Sequence, residues 1–430
     1  MFQNHKKVQI LFGDKGYSLN IKSNWQPTVI RKPKMPLIQS SDKAVLDAFS
    51  SPINSPPLTN LAQEANSACI LVCDITRPVP NGLFIENLVK NLIEANIKKE
   101  KILILIATGL HRLSSKKEII QIINSKYVLE NINIAIHNAK EDNNHRLIGI
   151  TSKGNKISLD KRFLDAELKI ATGLVEPHFM AGFSGGRKVI APGIAHEKTI
   201  RTFHSARYME DPMAKNCNLK NNPLHEDQLE IIKMIGGAYA INCVIDEDRK
   251  LSYINFGEII KSHICAVDFI NSYVEVKTNS TFDTIVTSSA GAPLDSTFYQ
   301  TVKGIVSPLT ILNKGGDLII FSECKEGIGS NDFKKSQRRL NADGKEKFIL
   351  DILKKQYADI DEWQTQKEIE ALKRANIYLY TTGISKEEQN LTAVNITKEP
   401  ELVIEESIKR HNNNNIAIIP EGPYVVPRRI

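Results

Sequence analysis

The chain has 430 residues, 41% apolar and 24% charged, with a formal net charge of +7, which predicts a globular protein of two domains and excludes a disordered or fibrous one. No apolar run reaches bilayer length, and the opening MFQNHKKVQILFGDKG lacks the long apolar stretch of a secretion leader. The basic runs at 98–101 and 334–339 have no interleaved aromatics, which argues against nucleic acid, and the mild basic excess suits small anions.

In chain order, apolar β-rich runs recur at 68–75, 101–108, 132–138, 167–173, 282–291, 317–324, 376–382 and 416–422. Several are continuous rather than alternating, as in strands covered on both faces. Helical patterns lie between them, for example at 81–97 and 346–357. This alternation predicts an α/β fold of two α/β domains with mostly parallel sheets. The expected domains are 1–270, with the helices of INFGEIIKSHICAVDFINSYVEV closing it, and 280–415, opening at the strand from Phe282. The tail 416–430 reads as a strand that packs back on the first domain or stays with the second. The six cysteines are scattered without a CxxC pair, which fits reduced thiols in a cytoplasmic protein.

The most informative segment is 171–204, ATGLVEPHFMAGFSGGRKVIAPGIAHEKTIRTFH. It carries His178, a turn with Gly185 and Gly186 whose backbone suits an anion, the basic pair Arg187-Lys188, and His204. ATGL also occurs at 107–110, followed at once by His111. Two equivalent strand ends would thus present two imidazoles, and Ser115 with Glu118 has the spacing of a capping box that starts a helix. A third strand end carries Asp74 and Arg77 before Pro78, where a guanidinium suits capture of a carboxylate. In the second domain Tyr299, Gln300 and Lys303 share one face of a helix. Trp363, one of two tryptophans, stands beside polar residues, where it is core or a stacking partner for a flat ring.

These motifs together resemble the nickel-pincer lactate racemase family. The resemblance rests on CDITRPVP (73–80), ATGLHR (107–112), EPHFMAGFSGGRKVIAPGIA (176–195), His204, APLDSTFYQTVKG (292–304), SECKEGIG (322–329) and WQTQ (363–366), and it covers nearly the whole chain. It implies racemisation of a small 2-hydroxy acid by hydride abstraction and return, with the active site in the cleft between the domains. It implies nickel(II) in a pyridinium-thioamide-thiocarboxylate mononucleotide pincer, attached through Lys188, with His204 as the protein ligand and cofactor-synthesis proteins as partners. His111 and His178 become the acid/base pair. Arg77 and Lys303 hold the substrate carboxylate, with Tyr299 and Gln300 beside them. Asp74, Trp363, Gly185 and Gly186 border the cofactor. Two rival readings are a mononuclear metal hydrolase built on His111, His178 and His204, and a non-catalytic carrier of the nickel nucleotide.

Overall fold

The structure is a computed structural model that describes residues 7–246 and 248–429. The chain forms two compact units. Among the described residues, one comprises 34–203 and 211–272; the other comprises 7–33, 204–210 and 273–429.

Two six-stranded sheets organise the units. Their strands in chain order are β1 (Gln26–Val29), β2 (Ala68–Cys73), β3 (Ile102–Ala107), β4 (Asn133–Ile136), β5 (Leu168–Leu174), β6 (Tyr239–Ile245), β7 (Leu251–Glu258), β8 (Phe282–Ser288), β9 (Leu312–Phe321), β10 (Asn376–Tyr380), β11 (Asn395–Thr397) and β12 (Asn415–Ile419).

The first unit has the order β7-β6-β5-β2-β3-β4. It is parallel throughout except for β7, which runs antiparallel to β6. In β2 all residues but Cys73 are buried, because both faces are covered. Ile70, Val72, Ile104, Ile106 and Ile170 pack with Leu88, Val89 and Leu92 of the helix Ile85–Glu94.

The second unit has the order β11-β10-β9-β8-β12-β1, parallel at every pairing. Ile285, Leu318, Ile320 and Ala417 pack with Phe298, Val302 and Ile305 of the helix Phe298–Val306 on one side. Val286, Ile319 and Ile418 pack with Trp25 and Ile404 in a second cluster.

The parallel α/β character is as the sequence predicts. Two boundaries differ, and the tail takes one of its two expected places. Residues 7–33 belong with the second unit, because β1 pairs with β12 and adds the edge strand of that sheet. The tail stays there too: β12 lies between β8 and β1, and Val426–Arg429 pairs in parallel with Glu275–Thr278. Finally, 254–258 is strand rather than helix, and the helix Ile259–Val274 starts where Glu258 accepts hydrogen bonds from the backbone N–H groups of Ile260 (3.0 Å) and Lys261 (2.9 Å). No helix among the described residues is long and apolar enough to cross a membrane.

Candidate functional site

In the first unit β5, β2 and β3 are parallel neighbours, so their carboxyl ends lie side by side, the usual place for ligands in such sheets. Each end carries residues singled out in the sequence.

At the end of β2, Asp74 is buried. Its Oδ1 accepts hydrogen bonds from the Thr76 backbone N–H (3.1 Å) and from Thr76 Oγ1 (2.5 Å). This closes a local turn, and Arg77 N–H bonds back to the Asp74 carbonyl at 3.1 Å. Arg77 then places Nε 3.9 Å from Glu176 Oε1, a residue just beyond β5.

After β3, Gly109 takes a left-handed φ of +55° and donates to the Gly193 carbonyl, and His111 N–H bonds to the Thr108 carbonyl. The capping box of Ser115 and Glu118 is present and starts the helix Lys116–Ile123. The turn directs the half-exposed His111 at Asp74, with Nδ1 2.6 Å from Oδ2. Burial works to raise the Asp74 carboxyl, but the His111 and Thr76 hydrogen bonds and the Arg77 charge outweigh it and hold the group below its ordinary value. Asp74 is therefore a carboxylate near neutrality. Nδ1 of His111 is the donor, and in the neutral ring Nε2 carries the lone pair.

After β5, Pro177–His178 pairs antiparallel with Gly182–Phe183 in a short hairpin. His178 Nδ1 accepts from the backbone N–H groups of Met180 (3.3 Å) and Ala181 (3.1 Å), and its ring stacks on Phe179. Ser184 Oγ donates to the Leu174 carbonyl at 2.7 Å and accepts from Glu176 N–H at 3.1 Å, which ties the loop to the strand end. Gly185 and Gly186 come next, at φ +77° and +47°. A Cβ on Gly185 would lie 2.7 Å from Val175 Cγ2, so the loop is packed against the strand end as well as left-handed.

Arg187 and Lys188 open the short helix Arg187–Ile190. Arg187 is buried and donates to His225 Nδ1 (2.6 Å) and to the Ala181 carbonyl (3.2 Å), and its guanidinium lies against the His263 ring, whose Nε2 donates to the Ser184 carbonyl (2.8 Å). Burial and the Arg187 charge push His225 down to about 3 and His263 well below its ordinary value, so both stay neutral acceptors or donors of hydrogen bonds. The Lys188 amine makes no hydrogen bond or ion pair among the described residues. Burial, then the charges of Arg77 and Arg187, push it down to about 8.

The second unit holds the other expected residues. Tyr299, Gln300 and Lys303 lie on the helix Phe298–Val306, capped by Thr297 Oγ1, which accepts from Gln300 N–H. Trp363 lies on the helix Glu362–Leu372 and donates from Nε1 to the Tyr299 hydroxyl at 3.1 Å; Gln364 donates to the Tyr299 carbonyl at 2.7 Å. Residues 204–210 are fastened to this helix by Gln366 donating to Glu210 (2.6 Å) and Lys367 donating to the Met209 carbonyl (3.1 Å). The His204 ring lies 4.3 Å from the Trp363 ring. The Gln300 amide oxygen is buried and has no hydrogen-bond partner among the described residues.

The structure thus brings Asp74, Arg77 and His111 together, sets Gly185, Gly186 and Lys188 in one loop after the His178 hairpin, and groups His204, Trp363 and Tyr299 in the second unit. Lys303 lies one helical turn beyond Tyr299. His196 and His225, which lie near His204 in sequence, are engaged elsewhere, with Asp142 and Arg187. Sequence reasoning missed Glu176, whose only local signal is its place before Pro177, and Gln364, whose contact with Tyr299 spans 65 residues.

Residues 12–216 match the lactate racemase N-terminal domain and residues 277–426 the lactate racemase C-terminal domain. The chain is 31% identical over 397 residues to the lactate racemase of Thermoanaerobacterium thermosaccharolyticum, covering 90% of this chain and 91% of that protein. It is 33% identical over 297 residues to the lactate racemase of Lactiplantibacillus plantarum, covering 68% and 69%. The structure of the lactate racemase apoprotein from Thermoanaerobacterium thermosaccharolyticum is similar with a TM-score of 0.90 at 28% identity, over 98% of this chain and 100% of that one. A Thermotoga maritima protein shares the fold with a TM-score of 0.66 at 17% identity, over 89% of this chain and 100% of that one.

Proposed function

This chain belongs to the lactate racemase family, and on that premise we propose that it is a racemase that interconverts the enantiomers of a small 2-hydroxy acid, lactate or an analogue. Removing the α-hydrogen of such an acid as a proton is costly, because the adjacent carboxylate destabilises a carbanion. Removing it as hydride, while a base takes the hydroxyl proton, gives a planar keto acid to which hydride returns on either face. When bound, a nickel-pincer pyridinium mononucleotide supplies the hydride acceptor.

The residues present fit that group. Lys188 offers an amine with no hydrogen-bond partner among the described residues and an affinity for protons low enough to leave some of it neutral near pH 7, as covalent attachment requires. Arginine has no such chemistry. Gly185 and Gly186 hold the loop that carries it close against Val175 and His263. A nickel ion held chiefly by sulfur and carbon donors of its own nucleotide asks for one protein ligand, and we assign His204, set against the Trp363 ring. The buried Gln300 oxygen awaits a donor.

His111 and His178 serve as the acid/base pair for the hydroxyl. Arg77 and Lys303 hold the carboxylate, Tyr299 and Gln300 shape the pocket, and Asp74 and Trp363 support the cofactor. The observation that carries this reading is the carboxyl-end cluster: a histidine oriented by a buried carboxylate beside an arginine, on the sheet whose next strand end leads to Lys188. A hydrolase built on His111, His178 and His204 is less favoured. Among the described residues no three His, Cys, Asp or Glu side chains are grouped to hold a metal.

The test is intact mass spectrometry of protein produced beside the cofactor-synthesis proteins. The expected result is an adduct on Lys188, with nickel by elemental analysis, both absent from Lys188→Ala. Racemisation by Lys188→Ala would overturn the reading.

A further inference from the structure

Arg77 and Glu176 follow neighbouring strands, β2 and β5, and their side chains meet, with Arg77 Nε 3.9 Å from Glu176 Oε1. Both are held in place. The Arg77 guanidinium is turned by its Nη1, which donates to the Thr76 carbonyl at 3.1 Å. Glu176 is tied through its backbone. Its N–H donates to Ser184 Oγ at 3.1 Å, its carbonyl accepts from the Ser184 N–H at 2.9 Å, and Pro177 restricts the residue before it to extended conformations. The carboxylate thus stands at the Nε side of the guanidinium, and the Nη2 side is left for a substrate carboxylate. The Glu176 charge also bears on the Lys188 amine. Glu176 therefore lies beside both points that fix a substrate in the first unit.

The charges at this strand edge are unevenly matched. Arg187 donates to His225 Nδ1 and to the Ala181 carbonyl, and Arg112 donates to the Glu118 carboxylate at 2.8 Å, so both cations are committed. Lys188 loses its charge once its nitrogen is acylated. Arg77 is then left to answer Glu176 and Asp74, on which its charge also bears, before any substrate arrives.

We propose that Glu176 is a charge filter, which restricts the substrate to 2-hydroxy acids with one carboxylate and an uncharged tail. This rests on the racemase reading above and narrows its substrate class. A small acid held by Arg77, with its C2 at the group on Lys188, lies within the field of Glu176 over its whole length. Its first carboxylate is answered by the guanidinium. A second one, on the tail, would stand against Glu176 with the cations of this edge already committed. Like-charge contact of this kind acts on the wrong substrate alone, which makes it an efficient device for selection. The Arg77 and Glu176 side chains are 20% and 25% exposed, so water weakens the repulsion without abolishing it.

The test compares malate with its 4-amide, two 2-hydroxy acids that differ by one charge and hardly in size. In cofactor-loaded wild type the amide is expected to have the higher kcat/KM, by about 10-fold or more. Glu176→Gln removes the charge and keeps the volume, and should bring the two acids within about 3-fold of each other. Glu176→Asp keeps the charge and should keep the preference. A purely structural role for Glu176 would lower both rates alike in Glu176→Gln and leave their ratio unmoved; that result overturns the proposal. Equal use of the two acids by wild type overturns it as well, and so does use of neither beside turnover of lactate, which would make size the filter. Calorimetric binding of both acids to the same loaded proteins gives the answer without turnover, with tighter binding of the amide expected in wild type and equal binding in Glu176→Gln. If loaded wild type racemises no 2-hydroxy acid, the racemase reading falls, and calorimetry still decides the filter: equal or absent binding of the two by wild type overturns it.

Discussion

Asp74→Asn is the most informative substitution in the first unit, because it removes a charge without removing volume. Asp74 makes three hydrogen bonds, two accepted at Oδ1 from Thr76 and one at Oδ2 from His111. An asparagine has two orientations there. With its oxygen toward Thr76, both Thr76 bonds survive and the amide N–H₂ faces His111. The imidazole must then present a lone pair at Nδ1, its proton moves to Nε2, and the base is lost. With its oxygen toward His111, the correct tautomer survives, but the N–H₂ meets the Thr76 N–H and leaves a buried donor unsatisfied, at about 1–3 kcal/mol. The first orientation is thus favoured by about 5- to 150-fold. The expected loss in kcat is about 10²- to 10⁴-fold, the range of a general base removed, with the Lys188 adduct unchanged in mass. The assay is the initial rate from each enantiomer, read by chiral chromatography. An Asp74→Asn enzyme that keeps more than about a tenth of wild-type kcat would refute the tautomer reasoning. The pH dependence of apoprotein stability reports on the same carboxylate. A carboxyl held below its ordinary value of 3.8 contributes stability that is present above that pH and lost as pH falls through the lower folded value. Acid unfolding of Asp74→Asn should lack that component.

The same geometry gives further expected outcomes. Gly185→Ala places a Cβ 2.7 Å from Val175 Cγ2 at φ +77°, and should cost about 2–4 kcal/mol in urea unfolding, from left-handed strain and overpacking together. An amine pushed down to about 8 should be modified by amine-directed reagents with a rate that rises through pH 8, about two units before exposed lysines; digestion and mass spectrometry would locate Lys188 as the early site. Burial that lowers a lysine penalises its charged form, so this effect disfavours the fold below pH 8 and is relieved as pH rises from there toward the ordinary lysine value. Trp363→Phe keeps a ring against His204 but deletes the 3.1 Å hydrogen bond to the Tyr299 hydroxyl. It should cost about 0.5–1.5 kcal/mol of stability and raise KM more than it lowers kcat; a larger effect on kcat would argue that the ring acts in the chemistry.

How far the sequence could be read depended on whether a feature was local. The strands β2, β3, β5, β8 and β12 were visible because their apolar runs are continuous and bounded by Gly, Pro or Asp. The turn that carries His111 was visible through its capping box, whose two members stand three residues apart. β7 was missed because LSYINFGE runs straight into the helix Ile259–Val274 with no Gly or Pro after it; the start signal is the Glu258 side chain itself, capping Ile260 and Lys261. β6 carried a signal that was overlooked, a β-rich run opened by Gly236-Gly237. The placement of β1 had no local signal at all. Four residues, one of them Pro27, become a strand only because β12, at the far end of the chain, offers an edge. The same holds in the site. Asp74 and His111 are 37 residues apart, Trp363 and Tyr299 64 apart, and no spacing rule joins them. Family resemblance named these residues, and the sheet order explains why the first pair meets: β2 and β3 are parallel neighbours, so the turns that leave them share one edge of the sheet.

The central claim is that hydrogen leaves C2 with its electron pair and comes back to the same carbon from a carrier shielded from water. The most direct measurement uses a 2-hydroxy acid deuterated at C2, racemised in ordinary water by the loaded enzyme and analysed by mass spectrometry after both enantiomers are separated. Deuterium retained at C2 in the newly formed enantiomer is the expected result. Replacement of that deuterium by solvent hydrogen at the rate of inversion would contradict the account.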